Sequence, residues 1–115
     1  MKEILAKLNK TQGVRGSMVV NRDGIVVASD FSVDADEAGM GAVTSSILAS
    51  LESALKRISM GRFQRFVITG NENKVAVVDA GQAILVVLLQ QEVNMGMVNV
   101  DIKDAAAAVL ANSKI

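Results

Sequence analysis

The 115 residues offer little for chemistry: there is no His and no Cys. That removes the commonest general base near neutral pH, the thiolate nucleophile and the usual zinc ligands. What remains is carboxylates, cations and glycines. Arg22-Asp23-Gly24 lies between the β-branched runs Val19-Val20 and Ile25-Val26-Val27, and a hairpin tip of this kind is expected only to stay solvated while it reverses the chain. Asp30, Asp34, Asp36 and Glu37 crowd together, but their spacing lacks the glycine and bidentate Glu of a calcium loop and reads instead as a helix cap. Gly39-Met40-Gly41 is half of a dinucleotide fingerprint, without the preceding strand that would make it one. Gly70 to Lys74 (GNENK) lacks the glycine–lysine–hydroxyl ending of a phosphate loop. The basic segment from Lys56 to Arg65 suits the negative end of a helix dipole at Lys56 and Arg57, whereas Arg62 and Arg65 could guard an edge strand or meet an acidic partner. No catalytic residue, cofactor or metal site is expected, and the chain reads as a non-enzyme.

These residues need a scaffold, and its elements follow from periodicity. Ile4, Leu5 and Leu8 mark a short amphipathic helix over 2–11. Val14 to Asn21 and Ile25 to Asp30 form the hairpin, with Gly24 supplying the positive φ of the turn. Asp34 and Glu37 then predict a capping box for a long helix reaching Met60 and stopped by Gly61. Met40, Ile47, Leu48, Leu51, Leu55 and Ile58 mark its inner face. Strands follow at Phe63–Gly70, Lys74–Ala80 and Gln82–Gln90, joined by turns short enough to demand antiparallel neighbours. Val98, Ile102, Ala105 and Val109 stripe a closing helix over 95–112. The last strand is apolar on both faces, Ile84, Val86 and Leu88 on one and Ala83, Leu85, Val87 and Leu89 on the other, so both faces of the sheet must be covered. The expected fold is α/β of the α+β type, in the order α-β-β-α-β-β-β-α. A single five-stranded antiparallel sheet lies between one long helix and two shorter terminal helices, in one domain spanning 1–115.

Composition points to a binding role. Residues of the aliphatic, sulfur and aromatic types make up 50% and 9 glycines add to them, above the ordinary apolar share of about 45–50%. A small interior cannot hold the surplus, which predicts an exposed apolar face and self-association. Twelve basic against twelve acidic residues and an aromatic content of 3% leave neither a cationic stripe nor stacking platforms, so nucleic acid is not an expected partner. The longest apolar run, Ala83 to Leu89, is far short of the ~20 residues of a membrane span. The charged start MKEILAKLNK does not read as a signal peptide, and with the absence of Cys this predicts a cytoplasmic protein. The long helix carries the most suggestive surface. Ala38, Ala42, Ser45, Ser46, Ala49, Glu52, Ser53 and Lys56 form a largely small-residue face. Either that face lets the helix lie close to its own sheet, or it receives a second protein.

The order of elements, the Asn21-to-Gly24 turn, the capped long helix and the Asn94-Met95-Gly96 start of the closing helix together resemble the Roadblock / dynein light chain family, a profilin-like three-layer fold. The resemblance implies a homodimer in which third strands pair edge to edge, here through Phe63, Arg65, Phe66, Val67, Ile68 and Thr69, with the long helices side by side. It also implies a Ras-like small GTPase as partner, bound at the helix face just named and regulated without an inserted arginine finger. The sequence shows no C-terminal extension of the kind some bacterial members carry, which leaves open whether hydrolysis is stimulated or the GTPase only bound. A structural assembly subunit of a motor or membrane complex is the alternative, and a small-molecule sensor a more distant one.

Overall fold

The β-branched runs on either side of Arg22-Asp23-Gly24 build the first hairpin, its first strand with the predicted bounds and its second shifted by one residue from the predicted Ile25–Asp30. The computed structural model describes residues 1–112. Helix α1 (Lys2–Leu8) leads into β1 (Val14–Asn21) and β2 (Val26–Phe31), then α2 (Glu37–Arg57), the meander β3 (Arg65–Thr69), β4 (Asn73–Ala80) and β5 (Ala83–Gln90), and α3 (Met95–Asn112). All strand pairs are antiparallel, in the order β2-β1-β5-β4-β3. The expected architecture and element order are those observed.

The sheet separates two cores, as the two-faced β5 requires. On one side Leu5 and Leu8 of α1 and Val98, Ile102 and Val109 of α3 pack on Val19, Leu85, Val87 and Leu89. On the other, Leu48 of α2 packs with Met18, Val20, Val77, Ile84 and Val86, supported by Met40, Leu51 and Leu55. Each fully buried Val or Leu contributes on the order of 1.5–3 kcal/mol relative to exposure, so both helical layers are bound chiefly by apolar area.

Element ends depart from the periodic reading for local reasons. Helix α1 stops at Leu8, short of the predicted 11, because the next bonds tighten to i→i+3, with the Lys10 and Thr11 N–H groups donating to Lys7 and Leu8 carbonyls. The Asn9 side chain instead donates to the Asp30 carbonyl at 2.6 Å and accepts from Ser17 Oγ at 2.7 Å, which satisfies a buried serine. The cap of α2 is Asp36, whose carboxylate accepts from the Gly39 N–H at 3.0 Å, so the Asp34–Glu37 capping box is not formed. The other end of α2 closes at Arg57, before Met60. Ser59 N–H donates to the Lys56 carbonyl and Met60 N–H to that of Leu55, a Schellman motif. Its left-handed position is Ser59, at φ 60°, and Gly61 at φ 85° comes two residues later. Strand β3 begins at Arg65; Phe63, read as its first residue, turns into the α2-side core instead.

Candidate functional site

The sheet has two edge strands that are not alike. Strand β2 is bulged: Val19 faces Ala28 and Val20 faces Val26, which leaves Val27 without a partner. A bulge twists an edge and spoils it as a template for further pairing. Strand β3 runs without irregularity from Arg65 opposite Val78 to Thr69 opposite Lys74. Its free side is a straight row of backbone donors and acceptors, the condition under which a second strand can add.

Alternation distributes the side chains of β3. Phe66 and Ile68 lie across from Val77 and Val75 on the α2 side, while Arg65, Val67 and Thr69 lie on the side of α1 and α3. Arg65, Val67, Ile68 and Thr69 are exposed and Phe66 is half-buried. Phe63 is only 2% exposed; its ring centroid lies 5.7 Å from that of Phe66, so it braces the strand from beneath.

Helix α2 buries only Gly41, Thr44 and Leu48 fully. Of the eight residues read as a contact face, Ala38, Ala42, Ser46, Ala49, Ser53 and Lys56 are exposed. Ser45 and Glu52 are half-buried and engaged with the hairpin. Sequence reasoning missed Val43, which is 55% exposed beside Ala42. It also placed Ile58 on the inner face, whereas this residue caps the helix and is 61% exposed, with Met60 exposed just beyond it. A lone apolar residue at a helix end fits the inward period by number alone, and nothing in its spacing reveals that the helix has already ended.

Gly41, in the second turn of α2, has an internal role. A Cβ on Gly24 would sit 2.5 Å from the Gly41 carbonyl oxygen, and one on Gly41 would collide with the Gly24 carbonyl. The hairpin turn and the helix therefore touch backbone to backbone, which accounts for Gly41 without a partner protein. The outward alanines and serines have no such explanation.

Arg22 is not a solvated tip. Its guanidinium donates to Glu52 Oε1 at 3.1 Å, to Asp79 Oδ1 at 2.9 Å and to the Gly81 carbonyl at 3.2 Å. Ser45 Oγ donates back to the Arg22 carbonyl at 3.0 Å, and Arg62 approaches Asp79 Oδ2 at 3.6 Å. One side chain thus ties the hairpin to the middle of α2 and to the β4–β5 turn. Asp23 is exposed, its N–H held by Asn21 Oδ1. Among the described residues no three His, Cys, Asp or Glu side chains converge as a metal site, and no helix is long and apolar enough to cross a membrane.

Comparison with known proteins places this geometry. The model of the Roadblock/LC7 domain family matches residues 1–89. The protein MJ1340 of Methanocaldococcus jannaschii is 40% identical over 94% of this chain and 95% of its own length. The solved gliding protein MglB of Thermus thermophilus superposes with a TM-score of 0.88 at 23% identity, over 96% of this chain and 85% of that one. Acanthamoeba castellanii profilin IB superposes with a TM-score of 0.65 at 14% identity, over 94% of each chain, a likeness of fold.

Proposed function

We infer the function from what this chain is, a member of the Roadblock/LC7 domain family. It acts by presenting surface to other proteins, as a single-domain, cytoplasmic adaptor that works in pairs and regulates a Ras-like small GTPase. Two copies join through the β3 edges and lay their α2 helices side by side. The GTPase docks on the small-residue face of α2, and its nucleotide state or its location is modulated there.

One observation carries this reading: α2 is 21 residues long yet buries three of them fully, leaving a strip of Ala and Ser turned outward. Small side chains lose little entropy on being covered and let another backbone come near. The smooth β3 edge, with Val67 and Ile68 exposed, supports the pairing. The poor inventory of nucleophiles and bases supports binding over catalysis.

The test is a binding assay with Ras-like GTPases encoded beside this chain or its relatives, each loaded with GDP or a non-hydrolysable GTP analogue. Nucleotide-dependent binding that is lost in Ala49→Arg is the expected result. If no such GTPase binds in either state, the GTPase reading fails. Recovery only within large stoichiometric complexes, with GTP turnover unchanged, would identify an assembly subunit instead.

A further inference from the structure

The three-layer arrangement is incomplete on one side. Helix α1 lies against β1 and β2 and α3 against β4 and β5, while neither makes more than marginal contact with β3. Beside α3 this leaves a groove of about 600 Å3, bordered by Val78 of β4 and by Val100, Ala107 and Leu110 of α3. Val100 is 60% exposed, and Val67 continues the same apolar face onto β3.

Spacing says what shape would fill it. Packed helices lie about 8–10 Å apart, and that is two strand spacings of about 4.8 Å. A helix laid beside α3 therefore comes down over β3, the strand that lacks a cover. Charge says what that helix would carry. Arg65 and Lys103 border the groove, and neither makes an ion pair among the described residues. Asp79, the carboxylate that also borders it, is already held by Arg22 and Arg62.

We propose that this groove is a second docking site, separate from the α2 face, for an acidic amphipathic helix of another protein. The apolar face of the guest covers Val78, Val100 and Val67, and its carboxylates meet Arg65 and Lys103. The site borders the β3 edge used in the proposed pairing, sharing Arg65 and Val67 with it, and it requires no GTPase.

The experiment uses the full chain labelled with 15N and two designed 18-residue amphipathic peptides. They share a leucine face and differ only in bearing Glu or Lys on the polar face. The Glu peptide is expected to bind at least about tenfold tighter at low salt and to shift the amides of Val78, Val100, Lys103 and Ala107. Lys103→Glu and Ala107→Arg each weaken it by about fivefold or more, the first by reversing a charge and the second by filling the groove. Both positions are exposed on α3, so the fold and the β3 edge are left intact, and light scattering of the same variants reports the pairing separately. Equal binding of the two peptides, no binding, shifts confined to α2, or indifference to both variants overturns the proposal. So do shifts at the α3 amides of Val100, Lys103 and Ala107 that still follow the protein's own concentration once light scattering shows pairing complete, which would seat a second copy there, or shifts only with phosphatidylserine vesicles, which would make it a lipid contact.

Discussion

Gly41→Ala separates two accounts of the small residues in α2. If Gly41 were merely a weak point in an exposed helix, alanine would stabilise the protein by about 1 kcal/mol, the propensity difference between the two residues. The contact with Gly24 reverses that sign. The added methyl lands about 1 Å inside the ~3.5 Å at which non-bonded atoms rest, and the atom it meets is a backbone carbonyl that no rotamer change can remove. The helix must lift from the turn, loosening Leu48 and straining the hydrogen bond of Ser45 to Arg22. Overpacking of this kind costs about 1–3 kcal/mol, and the upper half applies because both partners are main chain. Less the propensity gain, a net loss of about 1–2 kcal/mol is expected, lowering the urea midpoint by roughly 0.5–1 M for a domain of this size. Urea unfolding followed by circular dichroism, at one fixed protein concentration for both variants, reads it directly. Ser46→Ala, on the outward face, is the control and should change little. A Gly41→Ala protein as stable as the parent, or more so, would refute the backbone contact as the reason for glycine.

The Arg22 clamp and the ends of the pairing surface offer further tests. Arg22→Met should cost about 1–2 kcal/mol: the half-buried Glu52, the more exposed of the two partners, gives little, and most of the loss comes from leaving the less exposed Asp79 short of its closest donor. Added salt should narrow the difference in a melting experiment, and a salt-independent gap would show that packing of the arginine stem, not charge, is responsible. Ser59→Gly relieves a left-handed serine and should raise the thermal midpoint by about 2–4 °C, after the entropy of the freer unfolded chain is deducted; a lowered midpoint would count against strain there. Val67→Glu places a charge on the open edge at a residue 42% exposed, so light scattering should show a folded monomer for the variant and a dimer for the parent. A parent that is itself monomeric at micromolar concentration would remove the pairing.

Patterns of period two and 3.6 were enough to read the architecture. Val14 to Asn21 and 95–112 are bounded as periodicity and turn residues predict, and the two-faced run in β5 correctly demands helices on both sides. What escaped was set by contacts distant in sequence or by choices among near-equivalent residues. Asp34 and Asp36 are equally good caps by residue type, and the start of the helix at Glu37 makes Asp36 the cap. Ser59 takes the left-handed position although Gly61 is nearby, because the last turn of α2 runs out first. Arg22 reads as a solvated tip since its partners Glu52 and Asp79 stand 30 and 57 residues away. At the candidate surface the alternation of β3 and the small residues of α2 were visible, while the exposure of Val43, Ile58 and Met60 was not. Apolar side chains carry no mark of which of them a fold will leave uncovered.

The difference between the two edges of the sheet also sets a limit on growth. With the bulge at Val27 closing one flank and a regular ladder at the other, each molecule has a valence of one for strand addition. In the proposed pairing, edge to edge about a twofold axis, two copies would use up their valences on each other and expose only blunted flanks. Such a protein can be concentrated at a surface or on a partner without threading itself into filaments.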